Sequence, residues 1–193
     1  MSAATAIRRA LGRLLRFARA GERRLAWNDP RVASPATLMV TSSAFVDGAP
    51  MPRRSAGARV GGGGLSPPLA WSGAPAGTRA YALIVEDPDA PTPRPIVHAL
   101  AFDIPADRGA LAEGALAAGA DPAIAFGRGA FGRIGYAGPA PIAGHGPHAY
   151  VFELFALSRP LGLDARAGKS EALAAMAGAV LARGRLTGFY ERQ

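Results

Sequence analysis

Cysteine is missing from all 193 residues, so neither a disulfide framework nor thiolate chemistry is available to this chain. The absence leaves the redox compartment unspecified. Hydrophobic residues make up 49% of the sequence, yet no run approaches the roughly 20 uninterrupted apolar positions of a membrane span. No G-x-S-x-G elbow occurs, which removes one hydrolase signature. Histidine is scarce: there are three, and two of them, His145 and His148, share one short stretch.

What the chain has in plenty is Gly (25) and Pro (17), which predicts a loop-rich, strand-based fold. The net charge of +8 belongs mostly to one place. Residues 1–27 hold seven arginines against the single acid Glu22, whereas the remainder has 15 basic and 13 acidic residues. The basicity is that of an arm, set here at residues 1–30, ahead of a nearly neutral domain over 31–193. Ile7, Leu11, Leu14, Leu15 and Ala18 fall on one helical face, with arginines around them. Arg13 and Arg16 interrupt any signal-peptide core. Such a helix could dock on its own domain or a second subunit, lie on an anionic membrane, or meet nucleic acid. No base-stacking aromatics are interleaved with the arginines, and a nucleic-acid partner is not expected. Asn28-Asp29-Pro30 ends the arm.

In the domain, Ala36 to Ser42 reads as a strand, and Gly61 to Gly64 as a flexible connector. No Gly-Lys-Ser/Thr follows those glycines, so they form no phosphate loop. Ser66 to Trp71 is extended, with Trp71 anchoring the core. Arg79 to Glu86 (R-A-Y-A-L-I-V-E) is a buried strand. It runs into Asp87-Pro88-Asp89-Ala90-Pro91, two carboxylates on one turn. Val97 to Ile104 is a further strand and carries the third histidine, His98. Gly127 to Gly132 spells G-x-G-x-x-G, but no β-rich strand precedes it and no helix can follow. Gly135 to Leu157 pairs a Pro-stiffened loop, holding His145 and His148, with an apolar strand from Tyr150. A helix capped by Ser170 uses Leu173, Met176, Ala177, Val180 and Leu181 as one face and stops at Gly184, before a short strand from Leu186 to Tyr190. The strands lack clean polar alternation, which predicts a mainly β protein: a sandwich of two antiparallel sheets with peripheral helices, one near the C-terminus.

Asp87-Pro88-Asp89-Ala90-Pro91, His98, and Gly138-Pro139-x-Pro141-x-x-Gly144-His145-Gly146-Pro147-His148-x-Tyr150 together resemble the two signature regions of the phosphatidylethanolamine-binding protein family. The match is closest to its bacterial, Raf-kinase-inhibitor-like branch and covers about Leu38 to Tyr190. The resemblance implies a β-sandwich with a small anion pocket at one end, taking phosphate, phosphorylated head groups or similar oxyanions. Carried over residue by residue, the pocket would hold Asp87, His98, His148 and Tyr150. The loop backbone at Ala140 and Pro141 would close it, with His145 nearby. The resemblance also implies a homodimer and, often, a cis bond before Pro91. Where the family usually has Trp, Pro and Arg, this chain has Ala99, Ile142 and Ala149. Kinase inhibition is known of some relatives, and fold alone does not carry it over.

The expected function is therefore non-catalytic binding, with no cofactor and no resident metal, in the cytoplasm or at the membrane periphery. Imidazolium and phenol donors suit a buried oxyanion, and a carboxylate beside an imidazole keeps it cationic. The alternative is a metal-dependent or acid–base hydrolase built on the same Asp and His residues.

Overall fold

The computed structural model describes residues 3–192. Its frame is a six-stranded sheet in the order β2-β9-β8-β4-β5-β7, from Ala49–Pro50 (β2), Val180–Tyr190 (β9), His148–Leu157 (β8), Ala80–Asp87 (β4), Ile96–Pro105 (β5) and Ala125–Phe126 (β7). A second sheet of three strands, Met39–Thr41 (β1), Leu69–Ser72 (β3) and Ala110–Leu111 (β6), pairs in the order β1-β3-β6. Apart from the short parallel β2–β9 contact, all pairs are antiparallel. The protein is the mainly β, two-sheet structure expected from its strands.

β4 and β8 are buried at every position because both faces of the large sheet are covered. One face carries Tyr81, Leu83, Val85, Tyr150, Phe152 and Leu154 against Trp71, Val40 and Leu69 of the small sheet. The other carries Ala82, Ile84, Leu100, Phe102 and Phe155 against Leu173 and Met176 of a helix, α2 (Lys169–Met176), and against Ala26 and Val32. Two-sided burial erases the polar alternation of a half-exposed strand. Phe152, fully buried and 6.1 Å from the Phe45 ring, is the kind of side chain whose truncation costs about 3–5 kcal/mol.

Three local expectations change. The C-terminal helix stops at Met176, not Gly184, and residues 180–190 form one long strand. Its ten paired positions along β8 outweigh the helical spacing of Val180 and Leu181. Gly184 sits in that strand, where a Cβ would lie 2.4 Å from the Leu38 carbonyl oxygen. The cap of α2 is Gly168, whose amide donates to Glu171, rather than Ser170. The run Gly61 to Gly64 is no loose connector: the amides of Gly62, Gly63 and Gly64 donate to Gly57, Arg54 and Ala56. No cis peptide bond occurs among the described residues, the Ala90–Pro91 bond included.

The N-terminal helix, α1, spans Ala3–Leu15. It docks on the body, but through Gly12 rather than its apolar stripe: Ile7, Leu11 and Leu14 are 67%, 49% and 79% exposed. From Ala20 the chain runs along the domain, with the Ala20 and Gly21 amides donating to Ala90 and Pro88. Leu25, Ala26 and Val32 are buried.

Candidate functional site

The sandwich brings four sequence-distant pieces to one end: the C-terminus of β4, the start of β5, the loop 137–147 and the start of β8. Asp87 closes β4 and folds its own turn, its Oδ1 accepting from the amides of Asp89 (2.8 Å) and Ala90 (3.0 Å). Its Oδ2 is left for His148, at 2.8 Å from Nδ1. His148 Nε2 in turn lies 2.8 Å from His145 Nδ1, and His145 Nε2 lies 3.2 Å from the carbonyl oxygen of Ala18. All three side chains are buried.

The polarity of this chain fixes a proton. Carbonyl and carboxylate oxygens only accept, so His145 donates through Nε2 and His148 through Nδ1. The central nitrogen–nitrogen contact then needs one proton more than two neutral imidazoles supply. Burial, followed by the charge of His148, holds the His145 pKa below its usual 6.5.

His98 reaches the same place through a β-bulge. Val85 pairs with Ala99 and Glu86 with Val97, so His98 is the extra residue, and the bulge turns its ring to the inner face. There it meets Tyr150 edge-on, with ring centroids 5.0 Å apart. His98 Nδ1 is 2.5 Å from the Ala137 carbonyl oxygen and so carries a proton. Its Nε2 and the Tyr150 hydroxyl are buried without a hydrogen-bond partner among the described residues. Burial lowers the His98 pKa from 6.5, so in the free protein Nε2 is a lone pair. Burial, then the nearby Asp87 charge, pushes the Tyr150 phenol far up, so the hydroxyl keeps its proton.

Of the other expected residues, Ala140 lies with its backbone amide close to the Tyr150 hydroxyl, its side chain exposed. Pro141 is buried within the same loop. Ala149 is buried on the opposite face, against Leu25. No cluster of three or more His, Cys, Asp or Glu able to hold a metal occurs among the described residues.

Sequence reasoning missed the residues that tie the arm to this end. Asp89 accepts from the Ala149 amide (2.7 Å) and pairs with Arg19 (2.5 Å), linking turn, strand and arm. α1 crosses the loop where neither side has a Cβ. One on Gly12 would lie 2.1 Å from the Ala143 carbonyl oxygen, and one on Gly144 2.7 Å from that of Arg9. The second Asp of the turn was a visible signal; a lone glycine in an Arg-rich helix was not. Two surface clefts lie away from these residues, one of about 550 Å³ beside Arg24, Arg94 and Lys169, the other beside Arg59, Phe131 and Arg133. At the histidine end His98, His145 and His148 are buried, and His145 meets the carbonyl oxygen of Ala18 in the arm.

Comparison with known proteins agrees with this architecture. The family model for phosphatidylethanolamine-binding protein matches residues 41–191. An Aquifex aeolicus UPF0098 protein is 36% identical over 161 residues, which is 83% of this chain and 92% of that one. A Mycobacterium tuberculosis protein bearing the lipoprotein name LppC is 38% identical over 165 residues, 84% of this chain and 78% of its own. Escherichia coli YbcL, described as a member of the mammalian PEBP family, superposes with a TM-score of 0.76 at 30% identity, covering 82% of this chain and 100% of that one. With the model spanning most of its length and relatives at this similarity, the chain belongs to the phosphatidylethanolamine-binding protein family.

Proposed function

We propose that this is a ligand-binding protein whose pocket takes a small oxyanion, either phosphate or the phosphorylated head group of a larger ligand. The observation that carries the reading is a pair of buried side chains in edge-on ring contact whose polar atoms, His98 Nε2 and the Tyr150 hydroxyl, have no side-chain hydrogen-bond partner among the described residues. Buried polar groups normally have partners, and each one left alone costs about 1–3 kcal/mol. A ligand with several acceptor oxygens would accept from the Tyr150 hydroxyl and reach His98 across the same ring pair, near the Asp87–His148 contact.

The acidic Asp87 does not repel such a ligand outright, because its oxygens are already engaged by two amides and by His148. His98 adds a condition. With Nδ1–H committed to Ala137, its Nε2 can donate to an anion only after gaining a proton. Otherwise the ligand must supply that proton, as a monoprotonated phosphate does. With an anion that carries no proton of its own, binding takes up one proton and weakens as pH rises above the free His98 pKa, by about tenfold per unit at the limit.

The hydrolytic alternative would use the Asp87–His148–His145 chain as an acid–base relay. Among the described residues no serine or threonine hydroxyl bonds to any of the three imidazoles, so the relay addresses no side-chain hydroxyl nucleophile. Calorimetric titration with inorganic phosphate separates the readings. His98→Ala and Tyr150→Phe should each weaken binding about tenfold, the cost of one lost hydrogen bond to a charged group, with the fold intact by circular dichroism. Unchanged affinity in both variants would overturn the assignment.

A further inference from the structure

α1 is docked with its apolar stripe facing away from the protein. Ile7, Leu11 and Leu14 recur at i, i+4 and i+7, and Phe17, just beyond the helix, is 81% exposed. Arg8, Arg13 and Arg16 are exposed around that stripe, and no acidic residue occurs before Glu22. An outward apolar face inside a field of one charge sign excludes two of the occupants considered for it. A second copy would bring two strongly cationic arms together. A nucleic acid would engage the arginines and leave four large apolar side chains in water.

An anionic bilayer suits both halves: acyl chains for the stripe and lipid head groups for the guanidiniums. A second feature of the molecule has the same composition. Phe131, 89% exposed and held at φ 57° on the loop after β7, lines a cleft together with Arg59 and Arg133. That loop begins beside the start of β5, where a Cβ on Gly129 would touch the Val97 carbonyl oxygen, one residue from His98.

We propose that α1 is a docking helix for anionic membrane surfaces, and that its fit through Gly12 onto the 143–145 loop sets the histidine end of the sandwich against the lipid. The helix lies outside the matched family region. It stands independently of what the pocket binds.

Co-sedimentation of the full chain with vesicles tests this, using phosphatidylcholine alone and phosphatidylcholine mixed with phosphatidylglycerol. Binding should appear only with the anionic mixture and fall steeply with added salt. Leu11→Glu with Leu14→Glu should lower the partition coefficient at least tenfold, as should Arg8→Gln, Arg13→Gln and Arg16→Gln together, which leave the apolar stripe intact. Phe131→Ser should lower it severalfold, and His98→Ala should leave it unchanged. Equal binding to both vesicle types would overturn the proposal, as would full binding by both arm variants. Loss of binding in His98→Ala alone would assign the lipid contact to the pocket instead. A parent chain that ignores vesicles but dimerises through Leu11 and Leu14 would make the stripe a self-association surface.

Discussion

Glu86 and Asp87 are neighbours on one strand, yet they head opposite kinds of cluster on the two faces of the same sheet. On the outer face Glu86 is paired with Lys169 (2.6 Å) and accepts from the Ala26 amide (2.7 Å), while Glu153 beside it accepts from Trp27 (3.0 Å). On the inner face Asp87 leads through His148 and His145 to Ala18, next to the unfilled His98 and Tyr150. The N-terminal arm completes both clusters, in opposite senses. Outside it supplies amide donors to carboxylates; inside it supplies a carbonyl acceptor to an imidazole. The outer cluster fastens residues 24–27 to the sheet. The inner one leaves His98 Nε2 and the Tyr150 hydroxyl without partners among the described residues, and it is there that the proposed ligand would bind.

The comparison can be broken most forcefully at Lys169. Lys169→Ala would leave Glu86 charged and buried without its cation, at a cost of about 3 kcal/mol, toward the low end for a broken buried pair because Lys169 is partly exposed. Chemical denaturation should show that loss, while phosphate affinity stays unchanged. An equal loss of affinity would mean that the two faces are not separate.

A smaller effect sharpens the contrast at Glu153. Burial, then the charge of Glu86, raises its pKa well above the usual 4.5. The folded state therefore holds a proton that the unfolded state releases first. Its contribution to stability is full below about pH 4.5 and declines as pH rises toward the folded value. Glu153→Gln removes that decline. Thermal melts at about pH 5 and about pH 8 should show the variant gaining on the parent at the higher pH, by less than Lys169→Ala loses. A constant difference between the two would place no excess proton at Glu153.

Much of the fold was legible because the central strands are long, apolar and rich in β-branched and aromatic residues. Where the sequence misled, tertiary pairing overrode local signals: Val180 and Leu181 continue a helical spacing yet belong to the strand that lies along β8, of which only Leu186 to Tyr190 was expected. The Asp, His and Tyr positions were readable from their motifs, but their geometry was not. His98 depends on a bulge that no alternation pattern reveals, and the His145–His148 bond depends on how the loop folds back. The arm's helix has the apolar stripe its spacing predicts, but that spacing does not say which face meets the domain. Gly12, the smallest residue in the helix, lets the backbones meet, and the large apolar residues are left outside.

The central claim is that an oxyanion fills the His98–Tyr150 gap together with one proton. Sulfate tests it directly, because it stays fully ionised at neutral pH and can bring no proton of its own. Calorimetric titration near pH 7.5, in buffers of different ionisation enthalpy, counts the protons exchanged on binding. The account predicts uptake of close to one proton per bound sulfate by the parent chain, and none by His98→Ala. Sulfate binding with no proton uptake by the parent chain would contradict it.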